Sequence, residues 1–216
     1  MKTTEKTARR NAGFTLIEVM MASSLLVIVL SMLYGATLTM AKSARTQDSL
    51  VMLNQEARRA MDVIVNNLRC ARASTLMTQD AGGNWAALAV NTPVTNIRYQ
   101  RVADMNGNGN ALDANLNVEV TQQFRFMRDT ADANADSQTT TQLVRLNAAN
   151  GVQEVVANHI SPVVVTANTY SAPNGGILFT NLGGGRYQVT LILRHRADVT
   201  LPMMVVRLDQ IVRPRN

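Results

Sequence analysis

The pattern of apolar and polar positions divides the chain into three regions. From Phe14 to Ala41 the sequence is almost entirely apolar and contains one charged residue, Glu18. After Lys42, apolar residues recur at intervals of three and four, which indicates one face of a helix. From about residue 81, short apolar or alternating runs are separated by turn residues, which is typical of β-strands. The pattern predicts a long N-terminal helix followed by a β-rich domain.

The first region is long enough to cross a membrane. Val19–Ala41 contains 23 residues without a charge, and about 20 such residues in a helix span the hydrocarbon core. An ordinary secretory signal peptide has only about 7–15 apolar residues, so it fits poorly. A plain signal anchor accounts for the length and for the basic residues that precede it. It leaves Glu18 unexplained, because a charge inside a membrane helix is costly.

The second region, residues 42–76, is predicted to continue the same helix with one apolar face. No Pro or Gly occurs between Ala36 and Ala81, so we expect one helix from about Phe14 to about Ser74. The single cysteine, Cys70, excludes a disulfide within the chain and is expected to be buried. A stripe at three- and four-residue spacing is predicted to pack on the following domain: Leu50, Leu53, Ala57, Ala60, Ile64, Leu68 and Ala71.

The third region, residues 77–216, is predicted to form a β-rich globular domain. An antiparallel sheet with the helix laid across it is an α+β arrangement. The polar segment Asp129–Thr141 is predicted to be a surface loop, and Gly183-Gly184-Gly185 a hairpin turn. The candidate strands are Ala87–Val90, Ile97–Val102, Val118–Met127, Gln142–Leu146, Gln153–Ala157, Val163–Thr166, Ile177–Phe179, Tyr187–His195 and Met203–Val212.

The net charge of +6 is distributed unevenly. Four basic residues and one acidic residue give the first 12 residues a charge of +3. Basic residues ahead of an apolar segment fix membrane orientation by staying in the cytoplasm. Arg58, Arg59, Arg69 and Arg72 fit a solvated helix face, so the charge does not favour nucleic acid as a partner.

The residues at the start of the apolar region resemble a known processing motif. A short basic leader, residues 1–13, ends in Gly13 and is followed by Phe14, by Glu18 as the fifth residue after the glycine, and by an unbroken apolar run. This resembles the motif of type IV prepilins and type II secretion pseudopilins. The resemblance implies that a membrane prepilin peptidase cuts between Gly13 and Phe14 and also N-methylates Phe14. It assigns residues 14–41 first to the membrane and then to the core of a filament.

The resemblance also implies an assembly role for Glu18. Cleavage creates a cationic amine on Phe14, and Glu18 of one subunit can pair with that amine on its neighbour. Such a pair would neutralise two charges in an apolar filament core and set the register of the subunits. A second interpretation is that Glu18 reaches the headgroups while the chain is unassembled. Gly35 lies at the depth where helices of this family are often interrupted.

The stretch from Leu53 to Arg69 and the Arg215-Asn216 end resemble large minor pilins and J-type minor pseudopilins. Together with the leader motif, these looser resemblances imply a structural subunit without enzymatic activity. It would cross the inner membrane once, with its C-terminal domain in the periplasm, and then join a pilus or pseudopilus. Its partners would be other pilin or pseudopilin subunits and the inner-membrane assembly platform. Two alternatives stay open, namely a filament-borne module that binds DNA or a host surface, and a membrane-anchored enzyme.

One loop has the composition of a calcium site. Asp104, Asn106 and Asn108 occupy the first, third and fifth positions of a calcium-loop pattern, with Gly109 at the sixth. The twelfth position should be a bidentate Glu but is Asn115, and Asp113 is the candidate replacement. The alternative is an Asn/Gly-rich turn between strands, which we favour. Calcium is the one cofactor that the sequence suggests.

Other catalytic or metal-binding patterns are absent from the sequence. The two histidines, His159 and His195, have no further ligand nearby in the sequence, so neither is expected to bind a metal. No GxSxG or Walker loop occurs, and the chain is not expected to be an enzyme.

Overall fold

A computed structural model describes residues 14–80, 82–129, 141–147, 151–160, 176–196, 201 and 203–215 of the chain. Gly13, the predicted strand Val163–Thr166 and nearly all of the predicted loop Asp129–Thr141 lie outside the described residues. The described residues form two units, Met1–Thr46 and Gln47–Asn216.

The elements follow the predicted order of a long helix and then strands. Helix α1 (Leu16–Arg69) is followed by a 3₁₀ turn (Ala73–Thr75). The strands are β1 (Met77–Gln79), β2 (Trp85–Ala87), β3 (Pro93–Val94), β4 (Ile97–Tyr99), β5 (Phe124–Arg128), β6 (Leu143–Asn147), β7 (Gly151–Ala157), β8 (Ile177–Gly183), β9 (Arg186–His195) and β10 (Met204–Val212).

The strands form two antiparallel sheets. One has six strands in the order β2-β1-β4-β5-β6-β7, and the other has four in the order β10-β9-β8-β3. Every pair within them is antiparallel. The second half of α1 packs against these sheets, which confirms the predicted α+β class.

The described residues of the first unit, 14–46, form a helical segment whose apolar side chains are exposed. All large apolar side chains between Phe14 and Met40 lie on the surface. By length and composition, the helix contains a stretch that can cross a membrane.

The second unit is built around one core shared by the helix and both sheets. Ala57 and Ala60 are fully buried, and their small side chains allow the sheets to approach the helix closely. The rings of Tyr99 and Phe126 lie 5.3 Å apart, and those of Phe126 and Phe179 6.5 Å apart, so this aromatic row joins the two sheets. The predicted stripe is correct except at Leu50, whose side chain is 40% exposed.

The helix ends earlier than predicted because the chain enters β-type pairing. The N–H of Val102 donates to the carbonyl of Cys70, and Ala71 pairs with Arg101. The prediction that α1 reaches Ser74 is therefore wrong by five residues. Cys70 lies just after the helix and is half-buried, so its predicted burial is also wrong.

The same segment binds the end of the chain. The N–H of Arg215 donates to the carbonyl of Ala71 at 3.0 Å, and the N–H of Ala73 donates to the carbonyl of Arg215 at 2.9 Å. Arg72 and Arg215 form a parallel bridge. The residues that follow β10 are thus fixed beside the end of α1.

Several strand boundaries differ from the prediction. The predicted strand Val118–Met127 is regular only at Phe124–Arg128, while Val118 and Val120 form isolated bridges. The short strands β1 and β3 were not predicted. The predicted hairpin turn is confirmed at Gly184 and Gly185, whose φ values of 58° and 70° are the positive values that such a tight turn requires.

The two histidines lie together beside the helix. Nδ1 of His159 is 2.6 Å from a carboxylate oxygen of Glu56 in α1, and the rings of His159 and His195 lie edge to face with centroids 4.4 Å apart. The hydrogen bond to Glu56 outweighs desolvation and raises the pKa of His159. Desolvation, followed by the charge of His159, lowers the pKa of His195. Desolvation acts to raise the pKa of Glu56, but its bonds with His159 and Asn158 together lower it.

These shifts predict a pH window for the attachment of α1 to the sheets. The contribution of His159 is complete below its usual pKa of 6.5 and is lost as pH rises through the raised value. That of Glu56 is present above its usual 4.5 and is lost as pH falls through the lowered value. Glu56→Gln should therefore lower the free energy of unfolding by about 1 kcal/mol between pH 4.5 and pH 6.5, and by less once the pH exceeds the raised pKa of His159.

Thermal melts of the full chain in detergent at several pH values would measure this difference. Glu154→Gln is the matched control, because Glu154 pairs with Arg145 at 3.3 Å and not with a histidine. The effect of Glu154→Gln should not shrink as the pH rises from 6.5 to above the raised pKa of His159. A Glu56→Gln effect that stays constant over the same interval would contradict the assignment.

Candidate functional site

The start of α1 is held by a reciprocal pair of side chains. The Thr15 hydroxyl accepts the N–H of Glu18 at 3.4 Å, and the Glu18 carboxylate accepts the N–H of Thr15 at 2.9 Å. The Thr15 hydroxyl also donates to that carboxylate at 3.0 Å. This is a capping box, which gives partners to N–H groups that the first turn of a helix leaves unpaired.

The capping box gives Glu18 a role within its own chain. A carboxylate in the first helical turn also faces the positive end of the helix dipole. The Thr15-Leu16-Ile17-Glu18 sequence has the S/T-x-x-E spacing of this motif, so the signal was present in the sequence and sequence reasoning missed it.

The side chains around the predicted cleavage position are exposed. The side chain of Phe14 is 87% exposed, and Leu16 and Ile17 are exposed as well. Large apolar surfaces in water are costly and usually mark a contact with membrane or protein. The region around Phe14 and Glu18 is therefore available for such a contact.

Helix α1 continues without interruption through Gly35. A Cβ placed at Gly35 would have no heavy atom within 4 Å, leaving aside the nearby backbone of α1. A glycine in a helix interior costs about 1 kcal/mol relative to alanine. Gly35 is thus a weak point of the helix rather than a break in it.

The candidate calcium loop is held together by its own side chains. Both carboxylate oxygens of Asp104 accept backbone N–H groups, from Gly107 and from Gly109, each at 2.7 Å. The side-chain oxygens of Asn106 and Asn108 each accept the N–H two residues later, at 2.9 Å. Desolvation acts to raise the pKa of Asp104, but the bonds from the loop backbone outweigh it and lower the pKa. This arrangement fits the turn interpretation.

Asp113 does not join Asp104 in these contacts. Its carboxylate accepts the N–H groups of Asn115 and Asn117, both at 2.8 Å, and these bonds lower its pKa. Glu119, which the sequence did not suggest, instead bonds the Asp104 turn through the N–H of Met105 at 2.6 Å and through the Asn106 side chain. Among the residues described, no three His, Cys, Asp or Glu side chains are grouped as a metal site. Calcium binding stays a prediction.

Comparison with known proteins identifies the N-terminal segment. Residues 8–34 match the model of the prokaryotic N-terminal methylation motif. The match covers the predicted cleavage position, the capping box and most of the apolar run. No curated protein and no solved structure matches the chain. These findings support a type IV pilin-like protein.

The Asp104 contacts generate a prediction for the loop. Asp104→Ala removes the acceptor of several backbone N–H groups, so amides 107–109 should exchange hydrogen faster. Hydrogen-exchange mass spectrometry of the full chain would measure this. Asp80→Ala is the matched control, because Asp80 accepts the N–H groups of Gly82 and Asn84 in a separate turn. Protection of the wild-type loop that requires added calcium would contradict the turn interpretation and support a calcium site.

Proposed function

We propose that the chain is a structural subunit of a type IV pilus or of a type II secretion pseudopilus. The observation that carries the proposal is the methylation motif at residues 8–34, placed directly at the start of an exposed apolar helix. The motif supports a pilin or pseudopilin role, prepilin peptidase as processing enzyme and other pilins as assembly partners. The apolar helix fits anchoring in the inner membrane.

Processing begins with the precursor in the inner membrane and residues 1–13 in the cytoplasm. The peptidase hydrolyses the bond between Gly13 and Phe14, which frees the amine of Phe14, and the same enzyme methylates it. The helix then leaves the bilayer for the filament core at the assembly platform, because its exposed apolar face is buried equally well by other copies of such a helix. The β domain remains outside, in the periplasm or on the filament.

Glu18 acts twice in this scheme. In the single chain its carboxylate closes the capping box with Thr15. In the filament the same carboxylate pairs with the methylated amine of Phe14 on a neighbouring subunit. An apolar filament core has a low dielectric constant, so this pair would be strong and would fix the register of adjacent subunits.

The domain after Thr46 supports a minor rather than a bulk subunit. It contains ten described strands in two sheets and an additional loop between Asp104 and Asn117. A domain of this size suits the tip or the initiating complex better than a tightly repeated shaft.

Processing predicts a defined mature N-terminus. The mature chain should begin at Phe14 and carry one methyl group on its amine, because the motif match includes this position. Intact and peptide mass spectrometry of the chain purified from membranes would show both changes. Gly13→Leu, which alters the residue before the cut, should leave the leader in place. A wild-type chain that retains Met1 would contradict the proposal.

Three variants separate the two roles of Glu18 in assembly. Glu18→Gln keeps an oxygen that can close the capping box but removes the charge. Thr15→Ala keeps the charge and removes the hydroxyl of the box, and Glu18→Ala removes both functions. If the charge pairs between subunits, Glu18→Gln and Glu18→Ala should both abolish incorporation into filaments, and Thr15→Ala should retain it.

Incorporation would be measured by immunoblotting of sheared filaments, with processing and membrane level as controls for each variant. Glu18→Gln that assembles like the wild type, together with Thr15→Ala that does not, would assign Glu18 to the capping box alone.

A further inference from the structure

A groove that contains two arginines, Arg98 and Arg125, lies on the six-stranded sheet. It has a volume of about 320 Å³ and is lined by residues that include Trp85, Arg98, Arg125 and Leu146. Arg98 lies between the fully buried residues Ile97 and Tyr99, so the alternation of a strand places it on the face opposite the core. All of these residues belong to the unit Gln47–Asn216.

The two arginines are direct cross-strand neighbours. Arg98 of β4 and Arg125 of β5 are paired in the sheet register. Like charges at directly opposite positions destabilise a sheet. Burial also lowers the pKa of Arg125, which indicates that its charge is partly desolvated. The fold therefore carries an unfavourable charge pair on this face.

Trp85 holds both guanidinium groups at the groove. The guanidinium carbon of Arg98 is 4.3 Å from the centroid of the Trp85 ring, and that of Arg125 is 5.8 Å away. A cation over an aromatic face is attracted to it, and a stacked guanidinium keeps its N–H edge free for hydrogen bonds. The tryptophan thus fixes the positions of the two cations without neutralising them.

The hydrogen bonds of the two arginines leave most of their donors unused. In the described part of the chain, Arg98 donates to the sulfur of Met77 at 3.0 Å, and Arg125 donates to the sulfur of Met127. A thioether sulfur is a weak acceptor, whereas a guanidinium has five N–H donors. None of the ion pairs among the described residues includes Arg98 or Arg125.

We propose that this groove binds an acidic side chain of a partner protein. The planar forks of Arg98 and Arg125 match the two oxygens of a carboxylate, which would also remove the repulsion between the arginines. Leu146 lies directly opposite Arg125 in the sheet register, so its apolar side chain is beside the cations on the same face. The ligand is therefore a peptide segment with an Asp or Glu next to an apolar residue.

The charge distribution favours an acidic peptide over a nucleic acid. Residues 47–216 contain 15 basic and 13 acidic residues, so this unit is nearly neutral. A nucleic-acid surface is usually a broad basic patch that contacts several phosphates. Two arginines in one groove on a nearly neutral domain fit a single anionic group.

Trp85 is the single tryptophan of the chain, so its fluorescence reports on the groove. The probe is the peptide acetyl-Leu-Glu-Leu-Glu-amide, titrated into the full mature chain in neutral detergent. A saturable change in Trp85 emission is expected, and it should weaken at high salt. The peptide acetyl-Leu-Gln-Leu-Gln-amide should bind about tenfold more weakly, because it lacks the charge.

Variants test whether the arginines form the site. Arg98→Gln combined with Arg125→Gln should weaken binding of the acidic peptide about tenfold or more. The matched control is Arg58→Gln combined with Arg59→Gln, which removes the same charge from exposed positions of α1 and should leave binding unchanged. Circular dichroism and melting temperature would confirm that each double variant is folded.

Other results would overturn the proposal. If the wild type bound the glutamate and glutamine peptides equally well, that result alone would contradict the proposal. Binding of inorganic phosphate or of oligo-dT in place of the peptide would assign the groove to a different ligand. A change in self-association of the Arg98/Arg125 variant, with peptide binding unchanged, would assign it to a second copy of the chain. None of these measurements depends on filament assembly, so their failure is distinct from failure of the proposed subunit function.

Discussion

The exposed apolar surface of the first half of α1 is the constraint on which the rest of the protein depends. From Phe14 to Met40 the large apolar side chains lie on the surface, and none of the membrane-length stretch is buried by the rest of the chain. Water cannot solvate such a surface without a large free-energy cost. The segment must therefore reside in lipid or against other apolar helices. The second half of the helix has the opposite property, since its stripe from Leu53 to Leu68 is buried in the domain core.

Local sequence determined what could be predicted. The helix and the hairpin at Gly184-Gly185 follow from periodicity and turn chemistry, which act over a few residues. The helix end at Arg69 could not be predicted, because it is set by pairing of Ala71 with Arg101 about 30 residues later. The exposure of Leu50 could not be predicted either. The apolar pattern already includes Leu50, but the buried part of the helix begins only at Leu53.

The candidate sites also divide into contacts between neighbours in the sequence, which could be predicted, and contacts between distant residues, which could not. Thr15 and Glu18 of the capping box are three positions apart, so the box was readable from its spacing. By contrast, Glu56 meets His159 across 103 residues, and Trp85 meets Arg98 and Arg125 only because β2, β4 and β5 belong to one sheet. A single sequence shows that these residues are present, but it does not show the pairing of the strands that brings them into contact. The methylation motif at residues 8–34, by contrast, is recognised from contiguous sequence alone.

The bonds between Arg215 and the segment after α1 affect the order in which the domain folds. Among the described residues, the carbonyl of Ala71 and the N–H of Ala73 take these backbone partners from Arg215, more than 140 residues later in the chain. Contacts of such long sequence separation form late, because a large loop must close first. Helix α1 can therefore form while the domain is still incomplete. Fusion of a reporter at the C-terminus would place it beside the junction of helix and sheets, where it could delay this last closing step.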